Sequence, residues 1–506
     1  MATKRNPYEQ LSEFSKEIAT WNTISNLLEW DQETYMPSDA VEFRSSQNGL
    51  VTSHTHKLRT GSKFTKLLSG IINLETGEIV DTTLTAPQKA AAKAWRRDYL
   101  KSVKLPNSFI KNLATTTSKA CAAWSEARKE SNFKKFAPHL EKIVKLNQKK
   151  AAYLGFKETP YDALLDLYEP DSTCAKLVPL FDSLKTGLKT LLHKITSKAP
   201  LNKSFLTQNF DETAQFEFAK TLLKAMGFHP ETSRLDLTNH PFCSPMHPTD
   251  IRMTTRIHAD DIMSNLFSAL HEGGHGLYGL NLPLQFFGTP LGEQISLGID
   301  ESQSRFWETR IGRTRPFWHH FLPQLQEKFP QLKNITLDQF YAAINTVAPS
   351  FIRVEADEVT YTLHVILRFE IEKMVIEGAL KIKDIPQVWN QKMQELLGIT
   401  PPNDTLGCLQ DIHWSFGSMG YFPTYALGNL YAAQFFEKFA HDFPDWETKI
   451  SHGDLSFIRE WLKTHIHQYG RQYSPHELIE KVTGKPLSEK PYLDYLTAKY
   501  QKIYGF

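Results

Sequence analysis

Apolar residues recur at three- and four-residue intervals along most of this chain, the spacing that one buried face of an α-helix requires. We predict helices in five stretches on this ground: 122–155, which reads as two helices with charged outer faces, 214–228, 358–378, 427–443 and 454–466. Helices therefore dominate the predicted secondary structure.

Two helix starts carry a capping box, in which the side chains of the cap and of the third helical residue bind each other's backbone N–H groups. Thr85 and Gln88 form one such pair, ahead of an alanine-rich amphipathic run. Ser474 and Glu477 form the other, with Pro475 at the first helical position, where a missing N–H does no harm.

Strand patterns are rare. In the stretch TDIRMTTRI (249–257), apolar and polar residues alternate and β-branched residues are frequent, which predicts a strand. The stretch LPLQFFGTPLG (282–292) is a weaker candidate. We predict loops at 196–209 and 398–425; the second is long and rich in aromatic residues, which indicates a functional loop. No shift in composition divides the chain, so we expect one large, mainly α-helical unit.

Composition narrows the class of protein. Of the 506 residues, 41% are hydrophobic and 23% charged, and the net charge is only +2, so neither nucleic acid nor an anionic membrane is an expected partner. We find no apolar run long enough to span a membrane and no signal peptide. The four cysteines lie far apart, as in a reducing compartment, so we predict a cytoplasmic protein.

The stretch HEGGH contains the most specific chemistry. On a helix, His271 and His275 share a face and can bind one metal ion, which leaves Glu272 beside the ion to accept a proton from water. The alternative is a helix with two ordinary histidines. Gly273 and Gly274 argue against it, because each costs about 1 kcal/mol relative to alanine inside a helix. Close approach of another backbone, or of a substrate, would explain both glycines.

A catalytic zinc site takes three protein ligands and keeps one position open, so a third ligand must come from elsewhere. The stretch 292–313 reads as a helix and contains four candidates: Glu293, Asp300, Glu301 and Glu308. Spacing alone does not choose among them.

The sequence resembles the carboxypeptidase Taq family of metallocarboxypeptidases over nearly its whole length. The motifs that support the resemblance follow the family's order: WDQETYMP, HPF, DIRMTT, HEGGH, ESQS, IRVEAD, GCLQDIHW and GYFPTYALGN. The resemblance implies a large helical fold with a small β-sheet near the HExxH helix and a deep substrate groove. It further implies one domain over 1–506 with N-terminal helices as a lid, a homodimer, and release of single residues from peptide substrates with a free C-terminus.

The resemblance also implies site residues. His271, His275 and Glu301 become the metal ligands and Glu272 the general base. The expected cofactor is one divalent ion per chain, Zn²⁺ first and Co²⁺ or Mn²⁺ as alternatives. The family usually has histidine where this chain has Asp300, an extra carboxylate that is expected to alter the hydrogen bonds behind the ligands.

Hydrolysis of a peptide passes through an oxyanion that needs hydrogen-bond donors besides a metal. The family motifs make Tyr425 and His413 the candidate catalytic donors, with Tyr421 as a further substrate-binding candidate. Gln410 of GCLQDIHW is a predicted substrate contact, since this motif is expected to close the end of the groove. The alternative is that these side chains only pack the loop.

An exopeptidase must bind a free carboxylate, and the guanidinium group fits it with two hydrogen bonds. Arg252 of DIRMTT and Arg353 of IRVEAD are the candidates, with Asp250 and Asp357 expected to orient them. His240 of HPF is a candidate substrate-binding residue.

Trp30 and Asp31 of WDQETYMP are expected to be structural and to hold helices over the groove. An oligopeptidase or dipeptidyl carboxypeptidase would share the metal site but bind the terminal carboxylate one residue further away. A helical peptide-binding protein without turnover is a third reading, against which an intact Glu272 argues.

Overall fold

The computed structural model describes residues 6–506. The helices that precede the sheet are α1 (Pro7–Thr34), α2 (Val41–Thr60), α3 (Ser62–Ser69), α4 (Ala86–Val103), α5 (Asn107–Lys129), α6 (Phe133–Leu154), α7 (Pro160–Leu165), α8 (Cys174–Thr196) and α9 (Glu212–Met226). The predicted helix pair in 122–155 and the helix at 214–228 are confirmed, and Thr85 and Gln88 form the predicted capping box.

A three-stranded sheet follows, made of β1 (Ser233–Leu237), β2 (Cys243–His247) and β3 (Asp250–Thr255). Its order is β1-β3-β2, with β1 parallel and β2 antiparallel to the central β3. The predicted strand at 249–257 is confirmed as the centre of this sheet.

The helices after the sheet are α10 (Ile262–Asn281), α11 (Leu297–Arg305), α12 (Arg315–Lys328), α13 (Leu337–Ile344), α14 (Thr360–Ile376), α15 (Ile385–Leu397), α16 (Pro423–Asp442), α17 (Trp446–Ser451), α18 (Ser456–His465), α19 (Pro475–Thr483) and α20 (Lys490–Tyr504). A buried π-helical segment, Phe306–Ile311, continues α11. The helices predicted at 358–378, 427–443 and 454–466 are confirmed, as is the capping box of Ser474 and Glu477.

The second strand prediction is wrong. The stretch 282–292 forms two short 3₁₀ turns, Leu284–Phe286 and Pro290–Gly292. Pro283 and Pro290 lack the N–H that a strand interior must donate, so this stretch cannot pair along its length. The helix predicted over 292–313 begins only at Leu297, which leaves Glu293 outside it.

The buried apolar residues form two clusters. The larger cluster extends from α5 to α20 and surrounds α10, α11, α14 and α16. The smaller one is built from α1, α3, α4 and Leu291 of the turn before α11. Helix α2 buries only Thr55 and leaves Phe43 and Leu50 70% and 74% exposed. Within 6–506, no helix combines the length and the apolarity that crossing a lipid bilayer demands.

Two glycines let the central helices approach closely. A Cβ on Gly274 of α10 would lie 2.4 Å from the carbonyl oxygen of Gln303 and 2.5 Å from Cα of Ser304, both on α11. A Cβ on Gly428 of α16 would lie 2.3 Å from Cγ of Glu301. The predicted approach of another backbone is therefore found at Gly274, where it brings α11 between α10 and α16, whereas Gly273 faces the side chains of Met226 and Leu223.

The predicted long loop is irregular from 398 to 422, and α16 begins at Pro423. The buried carboxylate of Glu372 on α14 fixes it, because Trp414 Nε1 donates to it at 2.8 Å and the Gly420 N–H at 2.9 Å. Burial raises the pKa of Glu372 to about 7, although these hydrogen bonds act in the opposite direction. These contacts order the loop against α14.

Candidate metal centre and peptide site

His271, His275 and Glu301 converge on one point. The Nε2 atoms of both histidines lie 3.6 Å from Oε2 of Glu301, and the three donor atoms all lie within 4.8 Å of one another. Helix α10 places the two imidazoles one turn apart on one face, and the close approach at Gly274 brings Glu301 of α11 opposite them.

The second nitrogen of each imidazole faces a further carboxylate. Nδ1 of His271 lies 2.9 Å from Glu308, and Nδ1 of His275 lies 3.0 Å from Asp300. Carboxylates in this position fix the ring orientation and tautomer of a metal-binding histidine. Asp300 and Glu308, two of the candidates that spacing left open for the third ligand, thus lie behind the histidines, and Glu293 pairs with Arg471 elsewhere.

The residues fit a divalent ion. Oε1 of Glu301 is buried, and it has no hydrogen-bond partner among residues 6–506, an arrangement that is costly without a further ligand. Two imidazoles and one carboxylate are a donor set that zinc, cobalt and manganese accept.

Glu272 is buried next to this point. Burial raises the pKa of its carboxyl group, and the imidazoles of His271 and His275 oppose the shift only in part. A carboxylate with a raised pKa is a better proton acceptor than an exposed one.

A cavity of about 440 Å³ opens beside two of the three donor residues, His271 and Glu301. It extends from Glu272 to Arg353 and Tyr425, and His240 lies on its rim. Its size is that of a small-ligand pocket, so it accommodates the end of a peptide.

Arg353 is the buried cation at the far side of this cavity, with only 4% of its surface exposed. It donates to Asp411 from Nε at 3.1 Å and from Nη2 at 2.9 Å, and from Nη1 to the hydroxyl of Tyr361 at 3.0 Å. Burial alone would raise the pKa of Asp411, but Arg368 and Arg353 outweigh it and hold that pKa well below its usual range. The predicted pairing of Asp357 with Arg353 is wrong, because Asp357 caps the start of α14 at Val359.

Tyr425 lines the cavity, and Nε2 of His413 lies 3.2 Å from its hydroxyl, whereas His413 itself does not line the cavity. Burial and the nearby Arg353 lower the pKa of His413 to about 3, so its imidazole is neutral at physiological pH. Tyr421 lies next to this pair, its ring 5.3 Å from both, but does not line the cavity.

Two further predicted substrate contacts lie outside the cavity lining. Arg252 of β3 pairs with Asp250 as predicted, at 3.0 Å from two of its nitrogens, and lies 4.3 Å from the ring of Trp30. Gln410 accepts hydrogen bonds from Arg353 N at 2.9 Å and from Arg368 Nη2 at 2.7 Å. Their roles in substrate binding stay predictions.

The N-terminal motif WDQETYMP has structural contacts. Trp30 is buried, and Asp31 pairs with Arg44 of α2 at 2.6 Å. Trp30 thereby joins α1 to the sheet, and Asp31 joins α1 to α2.

Sequence reasoning missed Tyr361, Arg305 and Asp411. Arg305 pairs with Glu308 at 2.7 Å, a contact that the three-residue helical spacing could have indicated. Asp411 lies inside GCLQDIHW, but nothing in its local sequence connects it with Arg353, 58 positions away.

Comparisons with known proteins identify the family of this chain. A family model described as carboxypeptidase Taq (M32) metallopeptidase matches residues 10–500. Thermostable carboxypeptidase 1 of Thermus thermophilus is 39% identical over 99% of this chain and 100% of its own. Carboxypeptidase 1 of Bacillus subtilis is 38% identical over 97% of both chains.

Solved structures show the same fold. The M32 carboxypeptidase from Deinococcus radiodurans R1 superposes with a TM-score of 0.95 at 34% identity and covers 99% of this chain and 100% of its own.

Proposed function

The chain belongs to the carboxypeptidase Taq (M32) family and is a metallocarboxypeptidase, and on that premise we propose that His271, His275 and Glu301 hold its metal ion. The convergence of these donors on one point, with Oε1 of Glu301 otherwise unsatisfied, is the observation that carries the proposal. We propose zinc as the ion; cobalt and manganese suit the same ligands.

A bound divalent ion polarises the scissile carbonyl group and lowers the pKa of water. Glu272 takes a proton from the attacking water and passes it to the amine that leaves. Its burial supports this role, because a carboxylate with a raised pKa is a better proton acceptor than an exposed one.

Tyr425 and His413 are the proposed donors to the oxyanion. Tyr425 lines the cavity, and the neutral His413 can accept or donate one hydrogen bond, so it orients the tyrosine hydroxyl without adding a charge. A donor already in place when the negative charge develops stabilises the transition state without reorganisation.

Arg353 is the proposed anchor for the terminal carboxylate of the peptide. It lines the cavity, whereas Arg252 does not, and Asp411 and Tyr361 hold its guanidinium group in one orientation. His240 at the rim is then the proposed contact to the preceding part of the peptide, which extends outward.

The decisive experiment compares one peptide as free acid and as C-terminal amide. We expect single amino acids to be released from the acid, loss of this release with a chelator, and little cleavage of the amide. Release of dipeptides would favour a dipeptidyl carboxypeptidase. Equal cleavage of the acid and the amide would favour an oligopeptidase. Binding of the peptide without any product would favour a peptide-binding protein.

We also propose a homodimer and a cytoplasmic location, with the N-terminal helices as a lid. Exposed apolar side chains on α1 and α2, among them Leu27, Phe43 and Leu50, support an interface there. Four free cysteines support a reducing compartment. Light scattering on the purified protein measures the oligomeric state directly.

A further inference from the structure

The two carboxylates behind the histidines differ in how their charge is balanced. Glu308 lies 2.7 Å from Nη1 of Arg305 and 3.6 Å from Nη2 of Arg313. Burial alone would raise the pKa of Glu308, but Arg305 and His271 hold it well below its usual range. Its negative charge is therefore neutralised by cations that belong to the protein.

Asp300 has no such compensation. Its Oδ1 lies 3.0 Å from Nδ1 of His275 and 2.7 Å from the side-chain amide nitrogen of Gln294, which is neutral. Within the described part of the chain, no lysine or arginine forms an ion pair with it. Its negative charge therefore acts on the imidazole of His275 and on a metal ion that this imidazole binds.

Gln294 also restricts the carboxylate. It lies on the turn before α11, and its hydrogen bond holds Asp300 at the side of His275 that faces away from Glu301. The negative charge of Asp300, 3.0 Å from Nδ1 of His275, favours the proton on that nitrogen, and this tautomer leaves the Nε2 lone pair directed at the point where the three donors meet.

We propose that Asp300 is a positioning residue that fixes the Nε2-binding tautomer of His275 and adds an uncompensated negative charge, so that the protein binds its divalent ion more tightly. The inference rests on the proposed metal site.

The test measures metal affinity without substrate. Protein freed of metal is titrated with Zn²⁺ against a chromophoric chelator, in wild type, Asp300→Asn and Asp300→Ala. Loss of a carboxylate behind a metal-binding histidine weakens metal binding by about 10- to 100-fold. We expect that loss for Asp300→Ala and a smaller loss for Asp300→Asn, which keeps an acceptor but not the charge.

Glu355→Gln is the matched control, since Glu355 lines the same cavity but pairs with Arg256 and touches neither histidine. We expect its affinity to equal that of wild type. Loading with Co²⁺ adds a spectroscopic readout, because the visible absorption of the ion reports ligand geometry: Asp300→Ala should change the spectrum, and Asp300→Asn should retain it. Thermal unfolding of each metal-free variant establishes that it is folded.

Equal affinities of wild type and Asp300→Ala would overturn the inference, as would an Asp300→Asn variant that binds as tightly as wild type. A wild type that binds no divalent ion would instead overturn the proposed metal site itself. The two failures are therefore distinguishable.

Discussion

Gly274→Ala tests whether the close approach of α10 and α11 sets the geometry of the metal centre. The added Cβ would lie 2.4 Å from the carbonyl oxygen of Gln303, where ordinary contacts begin at 3.4 Å, so α11 must move away by 1.0 Å. Overpacking of this kind costs about 1–3 kcal/mol. The greater helix propensity of alanine offsets about 1 kcal/mol of this cost, which leaves a net destabilisation of the folded state of up to about 2 kcal/mol.

The displaced helix carries Glu301, so function should suffer more than stability. A misplacement of this size in a catalytic site can reduce the rate about 100-fold. We expect Gly274→Ala to remain folded, to bind Zn²⁺ more weakly and to lose most of its kcat/KM on a free-acid peptide.

Gly273→Ala is the matched control, because it gains the same helix propensity at the neighbouring position. Its Cβ would meet Cε of Met226 at 2.7 Å and Cδ2 of Leu223 at 2.9 Å, the ends of flexible side chains that can rotate away. Denaturant unfolding, zinc titration and peptide hydrolysis are measured on both variants. If Gly274→Ala matches Gly273→Ala in all three, the geometry of the metal centre does not depend on this contact.

The other predictions concern single steps. Glu272→Gln should keep its metal but abolish hydrolysis, because an amide cannot take the proton; activity near that of wild type would remove this residue from the mechanism. Arg353→Ala should lower kcat/KM for the free-acid peptide by the equivalent of about 2 kcal/mol in transition-state binding and change kcat/KM for the amide little. Arg252→Ala should leave the ratio of kcat/KM for acid and amide as it is in wild type. The double variant Phe43→Glu with Leu50→Glu should be monomeric in light scattering, because it places charges on the proposed interface; a stable dimer would locate the interface elsewhere.

The helices at 122–155, 214–228 and 454–466 could be located because their apolar residues recur at helical spacing, whereas α1, α2 and α8 were not among the predictions. Strands β1 and β2 could not be located, since SRLDL has no β-branched residue and CSPMH contains Pro245. Both depend on pairing with β3, a tertiary contact that local propensity does not contain.

The two proposed metal donors on α10 could be predicted from spacing, whereas the third proposed donor could not. Asp300, Glu301 and Glu308 lie close in sequence, and only packing against α10 determines which of them reaches the point between the histidines. Motif resemblance selected Glu301, the residue that the structure brings there. The partner of Arg353 depends on a loop that folds back from far along the chain, so local sequence suggested Asp357 and the structure has Asp411.

The contact between Gly428 and Glu301 bears on when the protein acquires its metal during biosynthesis. The ribosome completes His271, His275 and Glu301 long before α16, which supplies Gly428 and, through Asn429, a 2.7 Å hydrogen bond to Arg305. A nascent chain thus carries all three donors while the surface against which Glu301 rests does not yet exist. On the proposed ligand set, we expect productive metal loading to follow synthesis of the C-terminal part, and a product truncated before α16 to retain the HEGGH motif without a working metal centre.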